Sequence, residues 1–183
     1  MSKYANWVEQ CQFWKNQWPV YNNDFENDIG GINLYQVMEE VNNLMNSNDV
    51  ILTDAGTAYY IIGQNLRLKE NQKLIFPGAQ ADMGFALPAS IGVYLHNNEF
   101  NIIVITGDGS LNTNLQELAS INAVNAKVKF IVLNNDGYLS IRNTQKNYYD
   151  NNIFGESEKT GLWFPDLSKI ASAYNFNYFH LFI

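Results

Sequence analysis

Apolar residues recur along this chain in two rhythms. Leu34, Val37, Met38, Val41, Leu44 and Met45 follow the 3.6-residue repeat of a helix with one covered face, and Asn33 stands where an N-cap belongs. Other apolar residues come in short unbroken runs. "DVILT" (49–53), "KLIF" (73–76), "NIIVIT" (101–106), "VKFIVLNN" (128–135) and the final "YFHLFI" (178–183) read as strands. The runs at 101–106 and 128–135 have the continuity of strands covered on both faces. Helical signals lie between them. "DAGTAYYIIGQNL" (54–66) opens as a loop and continues as a helix, and "GAQADMGFALPASIGVYLHN" (78–97) is a Gly-rich loop feeding a small-residue helix. Leu115 to Val124 and "FPDLSKIASAYN" (164–175), with Pro165 and Asp166 near its start, complete the set.

Strands alternating with helices predict βαβ units, hence an α/β domain with a doubly wound, mostly parallel sheet and helices on both faces. The first residues, ending in "ENDIGGIN", read as a linker or arm with a break at Gly30-Gly31, which divides the chain into 1–31 and 32–183. Residues 146–162, "KNYYDNNIFGESEKTGL", form the longest stretch without clear periodicity. Such a segment is a plain surface loop or a functional one, and poor order without a ligand is the expectation here.

Composition narrows the function classes. The chain has 183 residues, 46% of them hydrophobic, and a formal charge of −7, which fits a globular domain with a sizeable core. A pI near 4.7 leaves no basic footprint for nucleic acid. No apolar run is long enough to span a bilayer, and the polar, aromatic start does not read as a signal peptide, so a cytoplasmic protein without membrane contact is expected. The single cysteine, Cys11, excludes an intrachain disulfide and a Cys-based metal site, and no function is assigned to it. Asn-Asn occurs five times, so that pair alone carries no information.

Three polar signals fall at strand ends: Asp54-Ala55-Gly56-Thr57, Gly107-Asp108-Gly109-Ser110 and Asn134-Asn135-Asp136-Gly137. In an open parallel sheet, ligands bind at the carboxyl ends of the strands. The last two signals flank one βαβ crossover, so neighbouring strands would bring Asp108 and Asn135 together. Asp108 offers a carboxylate, Asn135 an amide carbonyl and Gly137 a main-chain carbonyl. Such a set is a poor cage for a bare ion but a good half-site for Mg²⁺ carrying a diphosphate. Gly107 and Gly109 shape a turn that presents Asp108 and let the backbone approach closely, and N–H groups from Ser110 onward favour phosphate. Gly56 and Thr57 open another helix able to grip the same anion, whereas Asp54 reads as a cap or turn residue.

GDG, 24 intervening residues and then NN after an apolar strand resembles the fingerprint of thiamine-diphosphate-dependent enzymes. "GAQADMGFALPASIG" is similar to the cofactor-facing segment of their acetolactate synthase and pyruvate oxidase branch, and "VILTDAGTAYY" resembles the diphosphate loop before it. The resemblance runs from about Gly31 to the end. It implies Mg²⁺ on Asp108, Asn135 and the Gly137 carbonyl, and thiamine diphosphate held by Gly56, Thr57, Gly109, Ser110 and main-chain groups near Ser140. Met83 matches the bulky apolar residue that bends the cofactor, with ordinary helix core as the other reading. Ala81 matches the position whose carbonyl accepts from the aminopyrimidine.

The same resemblance implies a partner. The glutamate that activates the cofactor comes from a pyrimidine-binding domain, usually on a neighbouring subunit, so no catalytic residue is expected here and a homo-oligomer is. A fragment of a longer enzyme acting on a 2-oxo acid is the first expectation. The initial "WVEQCQFWKNQWP", similar to the linker before this domain in acetolactate synthases, supports it. A two-chain enzyme of the sulfopyruvate decarboxylase kind is an alternative. So are a Rossmann-like nucleotide binder, although "DAGTAY" lacks G-x-G-x-x-G, and a non-catalytic module. Pyruvate decarboxylases carry a glutamate where Ile141 falls, and acetolactate synthases commonly a Trp where Thr144 falls. Both departures turn the expectation towards a carboligase with another acceptor, for example a keto sugar.

Overall fold

A computed structural model describes residues 4–22 and 31–181, so Gly30 of the expected break and the last two residues of the expected final strand lie outside the described residues. Four strands, β1 (Asp49–Leu52), β2 (Lys73–Ile75), β3 (Asn101–Gly107) and β4 (Val128–Leu133), form one sheet in the order β2-β1-β3-β4, every pair parallel. The chain winds outward from β1 to β2, then returns to the other side of β1 for β3 and β4. That reversal puts a crevice at the carboxyl ends of β1 and β3.

Alternation along the central strands sends side chains to both faces. Val50, Leu52, Ile102 and Val104 pack with Ala86 and Leu87 of α4 (Ala86–His96) and with Leu118 and Ile121 of α6 (Glu117–Ala123). On the opposite face Ile51 and Ile105 pack with Met38 of α2 (Leu34–Leu44) and with Ala58, Ile61 and Ile62 of α3 (Gly56–Asn65). A sheet covered on both faces is the doubly wound arrangement that the alternation implied. α2 begins where expected, its Asn33 Oδ1 accepting the Tyr35 N–H at 3.0 Å.

Several local expectations need correction. GDGS is not a turn: β3 ends at Gly107 and α5 (Asp108–Thr113) begins at once, with Gly107 at φ −84° in extended backbone as its N-cap. The helix expected over 115–124 is α6, and α5 is a separate short helix before it. β4 is only half-buried, because no further strand among the described residues pairs with its outer edge. Residues 176–181 form no strand, for want of a neighbouring ladder. The arm contains a helix, α1 (Ala5–Gln17), none of whose residues is buried. The aperiodic segment starts inside α7 (Leu139–Tyr148) and ends in a 3₁₀ turn at Glu158–Thr160, and α8 (Leu167–Ala173) follows, capped by Asp166.

Candidate cofactor and metal site

The carboxyl ends of β1, β3 and β4 bring the three polar signals to one edge. Asp108, first residue of α5, is buried at 5% exposure, and its Oδ2 accepts the Gly137 N–H at 2.8 Å. Its Oδ1 has no hydrogen-bond partner, and neither has the buried Oδ1 of Asn135 just beyond β4. Two buried oxygen acceptors without donors are costly in an interior, by roughly 1–3 kcal/mol each, and call for a ligand that supplies positive charge. Burial pushes the Asp108 carboxyl above its ordinary range, against the N–H bonds it receives. The Gly137 carbonyl oxygen faces the start of α5, 3.8 Å from where a Cβ on Gly109 would stand.

Two glycines make this approach possible. A Cβ on Gly109 would lie 2.6 Å from the Tyr138 ring, and one on Gly137, at φ +135°, would lie 2.0 Å from the Glu156 carbonyl oxygen. Gly109 therefore admits the ring, and Gly137 admits a neighbouring chain. Tyr138 is held edge-on to Phe164, with ring centroids 5.6 Å apart. Asp108 and Asn135 line a cavity of about 1020 Å³ that reaches past Arg142 and Glu156 to Phe164.

Two helix starts meet beside these residues. Gly56 opens α3 at φ +61°, and a Cβ there would lie 3.7 Å from the Ser140 Oγ in the first turn of α7. The first turns of α3 and α7, whose N–H groups have no partner within their own helices, thus lie side by side, with Thr57 next to Gly56. The Ser110 side chain is turned inward. Its buried hydroxyl accepts the Gly84 N–H at 2.8 Å and bonds Asp54, so the side chain is committed inside the protein. Asn114 reinforces this link by donating to the Gly84 carbonyl at 2.8 Å. The two bonds tie the loop carrying Ala81 and Met83 to α5. Met83 is 40% exposed and precedes α4, so it is not helix core. Ala81 holds a left-handed φ of +50°, a strained conformation for alanine of the kind that collects at functional sites.

Sequence reasoning undervalued three residues. Asp54, read as a cap or turn residue, is fully buried. It accepts from Thr106 Oγ1 at 3.0 and 2.9 Å and from the Ala55 N–H at 2.8 Å, fastening the end of β1 to β3. Burial pushes its carboxyl up, against the Ser110, Ala55 and Thr106 hydrogen bonds. Arg142 and Glu156 form an ion pair at 2.5 Å beside the loop that carries Asn135 and Gly137. Only their nearness to NNDG and to the aperiodic segment hinted at them.

Among the described residues no three His, Cys, Asp or Glu stand together as a metal cage. The oxygen set here is one carboxylate, one amide carbonyl and one main-chain carbonyl, suited to a hard cation that keeps other oxygens from a phosphate. A family model described as thiamine pyrophosphate enzyme, C-terminal TPP binding domain, matches residues 54–181, the span that holds every candidate residue.

The chain belongs to that family.

Its similarity to individual members points to one branch. It is 29% identical over 170 residues to the mitochondrial acetolactate synthase catalytic subunit of Aspergillus candidus, covering 91% of this chain and 24% of that protein. It is 28% identical over 170 residues to the acetolactate synthase large subunit of Haemophilus influenzae (92% and 28%). With the isozyme 1 large subunit of Escherichia coli it shares 31% over 120 residues (66% and 21%). The chain spans about a quarter of the length of these relatives. It is a thiamine pyrophosphate-binding C-terminal domain similar to that of acetolactate synthase, and no helix among the described residues is long and apolar enough to cross a membrane.

Proposed function

We propose that this domain is the Mg²⁺–diphosphate half of a thiamine-diphosphate-dependent decarboxylase or carboligase acting on a 2-oxo acid. The observation that carries the reading is the pair of buried, partnerless oxygens on Asp108 and Asn135, set beside the Gly137 carbonyl. These three would hold Mg²⁺. The first turns of α3 and α7, through Gly56, Thr57 and Ser140, would hold the diphosphate with the N–H groups of Gly109 and Ser110. Exposed Met83 and the strained Ala81 would meet the rest of the cofactor. When bound, thiamine diphosphate supplies the nucleophilic carbon and the electron sink for loss of CO₂ from a 2-oxo acid. The protein contributes charge, position and exclusion of water.

The domain, taken as 32–183 with an arm before it, then works with a pyrimidine-binding domain that brings the activating glutamate, in the same chain or a neighbouring subunit of a cytoplasmic homo-oligomer. The length of the acetolactate synthase relatives favours a longer single-chain enzyme over the two-chain alternative. Ile141 and Thr144 lie exposed on α7, in place of a glutamate and a tryptophan, and favour a carboligase whose acceptor is not a second pyruvate.

Calorimetry of thiamine diphosphate with and without Mg²⁺ tests the reading. Heat of binding is expected with wild type only when Mg²⁺ is present, and is expected to vanish in Asp108→Ala. Binding indifferent to both the metal and the substitution would contradict it.

A further inference from the structure

The metal-side loop is held in an unfavourable shape by a guanidinium, which is an awkward neighbour for a cation. Asp136 and Gly137 have successive positive φ values of +56° and +135°. Carbonyls of this loop are gripped by Arg142 from the first turn of α7, its Nη1 donating to the Asn135 carbonyl at 3.4 Å and its Nη2 to the Asp136 carbonyl at 3.1 Å. The third nitrogen, Nε, donates to Glu156 Oε2 at 2.5 Å. Glu156 is in turn fixed on every side. Its Oε1 accepts from Ser157 Oγ at 2.6 Å and Thr160 Oγ1 at 3.3 Å, and its carbonyl accepts the Tyr138 N–H at 2.8 Å. Its side chain is 4% exposed, against 30% for Arg142.

We infer that Arg142 and Glu156 are positioning residues for the metal: the planar fork of Arg142 locks the Asn135–Gly137 loop, and Glu156 cancels its charge so that a divalent cation can sit beside it. The inference rests on the reading of Asp108, Asn135 and Gly137 as metal ligands. Arginine suits the task because its nitrogens reach two carbonyls and a carboxylate in one plane, a geometry that lysine cannot copy. A lone guanidinium would repel the cation, and a lone buried carboxylate would lack a counter-charge. Together they leave Asn135 Oδ1 and the Gly137 carbonyl turned to the site while the other two carbonyls are occupied.

The test is a Mn²⁺ titration of the whole chain at saturating thiamine diphosphate, followed by electron paramagnetic resonance, which isolates the metal step. Wild type is expected to bind and Asp108→Ala to fail. Glu156→Gln keeps the shape but exposes the cation to an uncancelled guanidinium, so affinity should fall on the order of tenfold in about 0.02 M salt. That ratio to wild type should shrink several-fold in about 0.5 M salt, where the screening length falls to a few ångströms. A merely structural loss would not respond to salt. Glu156→Asp, which keeps the charge, should restore the wild-type salt response. Arg142→Lys keeps the charge pair without the fork, and should bind more weakly by a salt-independent ratio with a broadened Mn²⁺ spectrum. Wild-type affinity in both Glu156→Gln and Arg142→Lys, or a salt-independent loss in Glu156→Gln, overturns the inference and leaves the metal site standing. Equal Mn²⁺ uptake by wild type and Asp108→Ala, or none by either, overturns the metal reading and the inference with it.

Discussion

Gly137→Ala is the substitution that most sharply probes the closure of the site. Alanine must adopt φ +135°, a region occupied almost only by glycine, at roughly 1–3 kcal/mol. Its Cβ would stand 2.0 Å from the Glu156 carbonyl oxygen and 3.2 Å from the Ser157 Cα, both backbone atoms that cannot swing aside as a side chain can. Relief requires separating the loop from residues 156–157. That breaks the 2.8 Å Tyr138 N–H bond to Glu156, worth about 0.5–1.5 kcal/mol net. It also pulls the Gly137 N–H from Asp108, a charge-assisted bond worth about 1.5–3 kcal/mol. The terms add to about 3–7.5 kcal/mol, which for a domain of this size lowers the melting temperature by roughly 6–30 °C. Differential scanning calorimetry reads the shift. Gly155→Ala separates the backbone term from the clash, because Gly155 has φ +63° but no atom within 4 Å of a Cβ; it should cost only about 1–2 kcal/mol. A Gly137→Ala melting temperature within a few degrees of wild type, or equal to that of Gly155→Ala, would show that the loop is not clamped against Glu156.

Further outcomes follow from other contacts. Asp54 has a carboxyl raised by burial, so its contribution to stability is intact below the ordinary carboxylate range and is lost as pH rises through its folded pKa. Asp54→Asn escapes that loss, and its melting temperature relative to wild type should climb from about pH 4 towards neutrality; a flat difference would refute the shift. Gly109→Ala drives a Cβ to 2.6 Å from the Tyr138 ring and should destabilise by about 1–3 kcal/mol. Most of that penalty should disappear in a Tyr138→Leu background, as a double-mutant cycle in urea would show. Asn33→Ala removes the cap of α2 and should cost about 1 kcal/mol by urea denaturation while leaving cofactor affinity unchanged.

The architecture was legible because each central strand is an unbroken apolar run. A strand buried on both faces cannot alternate, so the run at 101–106 announced the helices above and below it, whereas the run at 128–135 made the same promise for β4, which is only half-buried. The meeting of Asp108, Asn135 and Gly137 was legible because strand ends in such a sheet converge at one edge. Failures came where tertiary neighbours decide. "YFHLFI" has strand composition, but a ladder needs a partner, and among the described residues β4 offers only its inner side. GDGS has turn composition, yet α5 starts directly on β3, and the need for Gly109 comes from Tyr138, distant in sequence. Arg142 and Glu156 stayed invisible for a related reason. Their meaning lies in a three-nitrogen fork onto two carbonyls and a carboxylate, which no local pattern encodes. Asp54 looked like a cap because its partner Thr106 is on another strand.

The most direct test of the metal half-site is crystallographic. Crystals grown with Mn²⁺ and thiamine diphosphate, with data collected at the manganese edge, locate the ion by its anomalous signal alone. We expect one strong peak at about 2.0–2.3 Å from Asp108 Oδ1, Asn135 Oδ1 and the Gly137 carbonyl oxygen, distances ordinary for a small divalent cation on oxygen. A peak elsewhere, with the Asp108 and Asn135 oxygens still without partners beside a bound diphosphate, would contradict the assignment.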